Sequence, residues 1–281
     1  MELEPDEDAK PATPAGLLAR RVARLRKRSG LSVRLLAEKV GYPYSYVGRV
    51  ERGEQLPSEA LAAALDEFFD TDGILGEMLV VAVEAEVPVY GRKVLEQERH
   101  AARIQTFNSS VVPGLLQTEA YTTALFTESM PGKDAENVAL QVTARAHRQA
   151  VLASDQPPLY WAIIDESALR RPVGGSAVMA GQIRHIVNVI ENNSSVCVQV
   201  LPFTRGVHPL QGGSLTLLTL RDGLTFAYVE SFASGRVVDS PADVLELATR
   251  YDIARSKALD SGESLAMFIK YLKEYENDHD E

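Results

Sequence analysis

Residues Leu31–Pro57 have the sequence LSVRLLAEKVGYPYSYVGRVERGEQLP, and this stretch decides the fold of the N-terminal region. Its apolar positions predict two short helices joined by a tight turn, which Gly41 permits. The small side chain of Ala37 allows the two helices to approach closely. Val47 and Val50 would anchor the second helix against a core. The stretch therefore predicts a helix-turn-helix.

The flanking sequence extends this motif into a helical bundle. In residues 17–28, apolar side chains recur at helical spacing and form one face. Ser32 and Ser58 stand where the N-caps of later helices are expected. Further apolar repeats continue to about residue 86, so we expect an all-α domain over residues 17–86.

The charge of the chain is strongly segregated. The chain has 281 residues and a formal net charge of −10. Between Leu17 and Pro57, ten lysines and arginines stand against three acidic residues, which gives a local charge of +7 and leaves −17 (−10 minus +7) for the remainder. A basic patch on an acidic protein is typical of a local anion-binding surface. We expect this patch to bind double-stranded DNA.

The helix after the turn would present its outer face to a major groove. By position, that face carries Tyr44, Ser45, Gly48 and Arg49, and Arg49 could bond a guanine through two hydrogen bonds. Arg52, Lys39 and the Ser32/Arg34 end of the preceding helix are expected to meet phosphates. The full set of expected DNA contacts is Ser32, Arg34, Lys39, Tyr44, Ser45, Tyr46, Arg49 and Arg52.

The stretch resembles the Xre/lambda-repressor-like helix-turn-helix family of transcriptional regulators. The matching positions are Leu31, Ser32, Leu36, Ala37, Gly41, Ser45, Tyr46, Val47, Arg49, Glu51, Arg52, Gly53 and Pro57. The resemblance covers the first quarter of the chain and implies that the start of the third helix reads bases. Val33, Leu35, Tyr44 and Gly48 depart from the family pattern, so the resemblance does not predict which bases are preferred.

The rest of the chain mixes segments of helical and strand character. Helices are expected over residues 91–107, 115–129, 134–152, 176–192, 242–259 and 264–275. Strands are expected over residues 159–164, 195–201, 214–220 and 225–229. The apolar runs 158–164 and 196–201 favour central strands. The predicted fold is thus an N-terminal all-α helix-turn-helix bundle followed by an α+β C-terminal domain.

Several phrases of this second domain form another resemblance. They include VPGLLQTEAY at residues 112–121, DESALRRP at 165–172, VLPF at 200–203, GVHP at 206–209 and YVE at 228–230. Together they are similar to the C-terminal domain of the actinobacterial WhiJ-like or Scr-type antitoxin-like family, over roughly residues 90–270. The resemblance implies a partnership with a small acidic protein encoded nearby.

Four residues of the second domain are candidates for a partner or ligand site: Glu166, Arg145, His208 and Trp161. Glu166 follows an expected strand, where functional side chains occur, although ion pairing with a nearby arginine is the favoured alternative. A turn position for His208 and a core position for Trp161 are favoured over a role in binding. The sequence has no H-E-x-x-H, G-x-S-x-G or phosphate-loop motif. We therefore predict no catalytic residue, metal or cofactor, and no enzyme activity.

The expected organisation has four segments. They are a disordered acidic tail over residues 1–16, the helix-turn-helix domain over 17–86, a regulatory and partner-binding domain over 87–275 and an acidic tail over 276–281. No signal peptide or membrane-spanning run is visible, which predicts a cytoplasmic protein. We expect a homodimeric regulator whose second domain mediates dimerisation and binds a partner or effector. An adaptor that mainly binds a small acidic protein, and a regulator that senses a small molecule, remain open alternatives.

Overall fold

A computed structural model describes residues 13–86, 94, 96–129, 135–231 and 234–278. The chain divides into two compact units. The first comprises Met1–Pro88 together with Met130–His147, and the second comprises Val89–Ser129 together with Arg148–Glu281. The sequence predicted a single regulatory domain from residue 87 onwards, but the segment that ends at His147 groups with the N-terminal helices.

The first unit contains the predicted helix-turn-helix bundle, which confirms the predicted fold class of this region. Its helices are α1 (Pro14–Arg28), α2 (Val33–Val40), α3 (Tyr44–Arg52), α4 (Glu59–Phe69) and α5 (Ile74–Glu86). Helix α1 begins three residues earlier than expected, because Thr13 caps it through a bond from the Gly16 amide and Pro14 occupies its first turn. Residues 1–12 of the predicted tail lie outside the described residues.

The predicted ends of the helices are confirmed by their capping bonds. The Ser32 hydroxyl accepts a hydrogen bond from the Leu35 amide, and the Ser58 hydroxyl accepts one from the Leu61 amide. Gly41 ends α2 with φ +77° and Gly53 ends α3 with φ +75°. This left-handed conformation favours glycine, because a Cβ would meet the backbone. The turn between α2 and α3 is therefore encoded locally.

In the described part of the chain, six strands form one mixed sheet. They are β1 (Ala101–Asn108), β2 (Leu159–Asp165), β3 (Val196–Leu201), β4 (Ser214–Leu220), β5 (Thr225–Ser231) and β6 (Ser234–Val238). The strand order is β3-β2-β1-β4-β5-β6. β1 to β3 are parallel, and β4 to β6 are antiparallel to their neighbours. The predicted α+β class is confirmed, and β6 is a strand that the sequence did not predict.

Strand β1 corrects the sequence-based prediction of a helix over residues 91–107. Strand β1 has a neighbouring strand on each side, and helices cover both faces of the sheet. Ile104 and Phe107 pack into separate hydrophobic clusters on these two faces. A strand buried on both faces has no alternation of polar and apolar residues. The three-residue spacing of Ile104 and Phe107 therefore looked helical.

Strand β3 corrects a second prediction, because it lies at the edge of the sheet instead of its centre. Its open edge is covered by the chain that leads into a later helix. The Val200 amide donates to the Ser264 hydroxyl at 3.0 Å, and the Leu259 amide donates to the Val200 carbonyl at 2.9 Å. This cover allows an apolar strand to end the sheet without an exposed row of backbone groups.

Further α-helices lie in the described part of the chain. They are α6 (Glu119–Ser129), α7 (Ala135–Gln149), α8 (Glu166–Arg170), α9 (Gly175–Asn192), α10 (Pro241–Lys257) and α11 (Ser261–Asn277). Residues of α9 and α11 belong to the larger core cluster on one side of the sheet, and α10 contributes Tyr251 to the cluster on the other side. Helix α11 runs through Asn277, so the predicted C-terminal tail begins later than residue 276.

Buried glutamines explain the phrase VPGLLQTEAY. The Gln117 side-chain amide donates to the Val112 carbonyl at 2.7 Å. Gln182 donates to the Leu116 carbonyl and accepts from the Thr118 amide, both at 2.7 Å. These bonds satisfy the backbone of a loop that has few partners of its own. The phrase therefore has a structural role between β1 and α6.

We expect Gly213→Ala to destabilise the protein by about 1–3 kcal/mol, the usual cost of overpacking a tight site. A Cβ at residue 213 would collide with the Glu230 carbonyl oxygen on the neighbouring strand. The matched control is Gly212→Ala, because a Cβ at that position meets nothing within 4 Å. Urea unfolding of both variants tests this, and equal midpoints for the two would contradict it.

Candidate nucleic-acid interface

Helix α3 is fixed by its inner side, which leaves a defined outer row. Val47 and Val50 are buried in the bundle. At 100° per residue, Ser45, Gly48 and Arg52 share one line along the opposite side of the helix. The outer row therefore ends at Arg52, a residue that the sequence assigned to phosphate contacts.

The sequence predicted that Gly48 forms an open part of the outer face, but the structure does not show this. It is buried, and a Cβ there would lie 3.2 Å from Nη1 of Arg52. The Arg52 side chain covers this notch, and its Nε and Nη2 donate to Oε1 and Oε2 of Glu54 at 2.5 and 2.8 Å. The guanidinium thus lies next to the space into which a side chain at position 48 would project.

Two other cations stand beside this row. The Nε of Arg49 donates to Oε1 of Gln55 at 2.9 Å, and the Arg49 side chain is exposed. The Cζ of Arg34, at the start of α2, lies 5.7 Å from the centre of the Tyr44 ring. A cation over an aromatic face is attracted by the ring quadrupole. Tyr44 is 54% exposed and is therefore available to a ligand.

The remaining predicted DNA contacts differ in their surroundings. Ser32 is exposed, and its hydroxyl caps α2. The Nζ of Lys39 is exposed near the Phe68 ring, 6.0 Å from its centre. Tyr46 is half-buried, and its hydroxyl accepts a hydrogen bond from the Ser58 amide at 2.6 Å. Tyr46 thus joins α3 to α4 and lies off the outer row.

Arg26 is separated from the other cations of α1. Its Nε donates to Oε1 of Glu51 at 2.7 Å, and its Nη1 donates to the Leu31 carbonyl at 2.6 Å. The hydrogen bond to Glu51 raises the pKa of Arg26. Arg26 is one of the ten cations of the basic patch, and its two contacts hold α1 against α3 and the turn before α2.

Two family models match the chain. A helix-turn-helix domain model matches residues 17–77. A model described as a domain of unknown function, DUF5753, matches residues 92–270, more than half of the chain.

The chain belongs to the DUF5753 family. The first match confirms a helix-turn-helix DNA-binding regulator at the N-terminus, whereas neither match names the WhiJ-like or Scr-type antitoxin-like group, which stays a prediction. No curated protein and no solved structure matches the chain. None of the described helices is long and apolar enough to cross a bilayer.

Within the DUF5753 region, Glu166 holds loops together. Its Oε1 accepts from the Tyr271 hydroxyl at 2.6 Å, and its Oε2 accepts from the Phe203 amide at 2.7 Å. Burial, followed by the bond to Glu166, raises the pKa of Tyr271. The expected arginine partners are replaced by a phenol and a backbone amide. Glu166 thus links the end of β2 to α11 and to the turn after β3.

His208 is fixed at the same end of β2. Its Nε2 lies 3.5 Å from Oδ2 of Asp165, and its Nδ1 accepts from the Leu210 amide at 3.3 Å. Burial lowers the pKa of His208 despite the neighbouring carboxylate. Both ring nitrogens therefore face protein groups that hold the loop after β3. Asp165 is a member of this cluster that the sequence did not single out.

The other two candidates lie elsewhere. The indole Nε1 of Trp161 donates to Oε1 of Gln199 at 2.7 Å, and the Arg255 guanidinium stacks on the indole ring. Trp161 is four residues before Asp165 along β2, which is about 13 Å. Arg145 belongs to the first compact unit, unlike the other three. No group of three or more metal-ligating side chains occurs among the described residues.

We expect Arg26→Ala to destabilise the protein by about 1.5–3 kcal/mol, since it removes a half-buried charged hydrogen bond and leaves Glu51 without it. Arg24→Ala is the matched control, because Arg24 lies on the same helix and is exposed. Thermal unfolding of both variants is the measurement. A smaller loss for Arg26→Ala than for Arg24→Ala would show that the ion pair does not hold α3.

Proposed function

We propose that the protein is a sequence-specific transcriptional regulator that binds its operator through α3. The observation that carries the proposal is the outer row of α3, where exposed cations surround a helix whose inner side is locked into a bundle. A helix held in this way can enter a major groove, and exposed cations of α1 and α2 supply phosphate contacts. The segregated charge of +7 favours association with a polyanion.

The regulator acts as a homodimer in this proposal. Helix α5 supports it, because this helix is apolar on nearly every side. One side is buried in the bundle through Leu75, Leu79 and Val83, whereas Ile74 and Val81 are 42% and 55% exposed. A second copy would cover this outer stripe. Two recognition helices would then meet half-sites about one helical turn apart, arranged as an inverted repeat.

The DUF5753 region regulates DNA binding in this proposal, and α7 supports the coupling. This helix lies within the matched residues 92–270, and its residue His147 belongs to the first compact unit. The Nε2 of His147 lies 2.8 Å from the Pro57 carbonyl oxygen, just before α4. The next residue, Arg148, belongs to the second unit, where its guanidinium pairs with Glu98, which is almost fully buried.

We infer from these contacts that α7 carries the state of the second unit to the corner between α3 and α4. A change that moves Glu98 or its surroundings would act on Arg148 and, through one peptide bond, on His147. Coupling of this kind is expected to be modest, about 0.5–2 kcal/mol. A bound partner or effector would therefore tune operator affinity without unfolding the recognition helix.

Selection of duplexes from a random library by the full-length protein tests the proposed function. We expect an inverted repeat, and we expect Arg49→Ala to weaken binding to it by about 1–3 kcal/mol with a loss of preference at one base pair. Arg250→Ala, an exposed arginine of α10, is the control that removes the same charge outside the bundle. Absence of any enriched sequence with wild-type protein would refute sequence-specific binding.

Substitution of His147 tests the coupling through α7. We expect His147→Ala to change the dissociation constant for the selected duplex by about 2- to 30-fold, which corresponds to the coupling range above. His100→Ala is the control, because this histidine is exposed. Fluorescence anisotropy is the measurement, with circular dichroism as a check of folding. An unchanged dissociation constant for a folded His147→Ala protein would argue against this route.

A further inference from the structure

We propose that Arg52 reads a base pair, and that Glu54 and Gly48 position its guanidinium for this task. The inference rests on the proposed function as a DNA-binding regulator and changes the expectation that Arg52 only meets phosphate. Glu54 is a positioning residue in this arrangement, because it acts through Arg52. The expected ligand group is the major-groove edge of a guanine.

The position of Arg52 on α3 is the first step. Ser45 and Arg52 are seven residues apart, which is two turns of helix less about 20°. They lie on one line with Gly48, opposite the buried Val47 and Val50. Arg52 is therefore on the side of α3 that would face the groove floor. A phosphate contact would instead place a cation at the flank of the helix.

The glycine at position 48 is the second step. Side chains on a helix lean toward its N-terminus and cover the preceding turn. The Arg52 side chain does so here, and its Nη1 lies 3.2 Å from the site of a Cβ at residue 48. Gly48 has no positive φ and is in the middle of a helix, where glycine is destabilising relative to alanine. An alanine here would press on the Arg52 guanidinium, since Nη1 is the nearest atom to the site of its Cβ.

The carboxylate of Glu54 is the third step. It binds the guanidinium through Nε and Nη2 together, at 2.5 and 2.8 Å, so the pair favours one orientation of the guanidinium plane. Nη1 lies on the Gly48 side of the group, 3.2 Å from the site of a Cβ there. Bidentate bonding to O6 and N7 of guanine requires a plane fixed in this way, whereas a phosphate accepts many orientations. Arg49, by contrast, is held through Nε alone by a neutral amide.

The presence of a carboxylate on a DNA-facing surface supports the same conclusion. An acidic side chain there is repelled by the phosphates, which weakens binding to every sequence. The Arg52–Glu54 pair is exposed, and exposed ion pairs stabilise a fold very little. Orientation of Arg52 is therefore the benefit that offsets the repulsion.

The test uses full-length protein and the duplex that wild type selects from a random library. Dissociation constants are measured for that duplex, and for its single-base variants, at several salt concentrations. We expect Arg52→Ala to lose about 5- to 150-fold of discrimination at one G·C pair, while selectivity at the other positions is retained. Arg52→Lys should lose it as well, because an ammonium cannot form the paired bonds.

Substitutions of Glu54 and Gly48 test their positioning roles separately. Glu54→Gln should reduce discrimination at the same base pair although it strengthens binding to random duplex, because it removes a repelled charge. Gly48→Ala should reduce discrimination at that pair by displacing the guanidinium. A merely structural role of Glu54 would leave base preference unchanged.

Three results would overturn the proposal. If Arg52→Ala weakens binding equally to all base variants, and the slope of affinity against salt is flatter by about one unit, Arg52 contacts phosphate. If Arg52→Ala has the wild-type dissociation constant for every duplex, the Arg52–Glu54 contact is only a surface ion pair. If wild type selects a duplex and either of these results follows, the inference alone fails. If wild type selects no sequence at all, the proposed function fails with it.

Discussion

The fixed position of α3 is the constraint on which the rest of the N-terminal unit depends. Val47 and Val50 bury its inner side, the Tyr46 hydroxyl holds it to the start of α4, and Glu51 holds it to Arg26 of α1. Three different kinds of contact, apolar, neutral polar and charged, thus act on one nine-residue helix. Because the inner side of α3 is packed against the bundle, the side chains of its outer row point in a defined direction. A short helix on its own would be too unstable to present side chains in this way.

The second unit is built on a different principle. Its sheet is organised around β1 and is parallel on one side and antiparallel on the other. Buried polar side chains fix the connections: glutamines hold the loop before α6, and Glu166 and His208 hold the loop after β3. Helix α7 includes residues of both compact units.

The local signals of the sequence predicted the first unit well. Glycines at 41 and 53 and serines at 32 and 58 mark helix ends by backbone and capping chemistry that depends on nearby residues only. The second unit was harder, since the helical prediction for β1 failed where burial on both faces removed alternation. The edge position of β3 depends on Leu259 and Ser264, far along the chain, which no local pattern could show.

The sequence predicted which residues of α3 are exposed at the candidate interface, but it did not predict the contacts that hold several of them. Tyr44, Ser45 and Arg49 are exposed on α3 as expected. The roles of Arg26, Tyr46 and Gly48 were missed, because each depends on a partner at a distance or on the path of a long side chain. The i, i+7 relation between Ser45 and Arg52 was present in the sequence and would have indicated the outer row. The carboxylate that orients Arg52 follows two residues later.

Mapping of backbone amide chemical shifts in the full chain, with and without its selected duplex, tests the central claim most directly. The account predicts that the largest changes occur at Ser45, Gly48, Arg49 and Arg52, with smaller changes at the start of α2. Val47 and Val50 would change little, because they stay packed in the bundle. Changes confined to the sheet of the second unit, with α3 unaffected, would contradict the account.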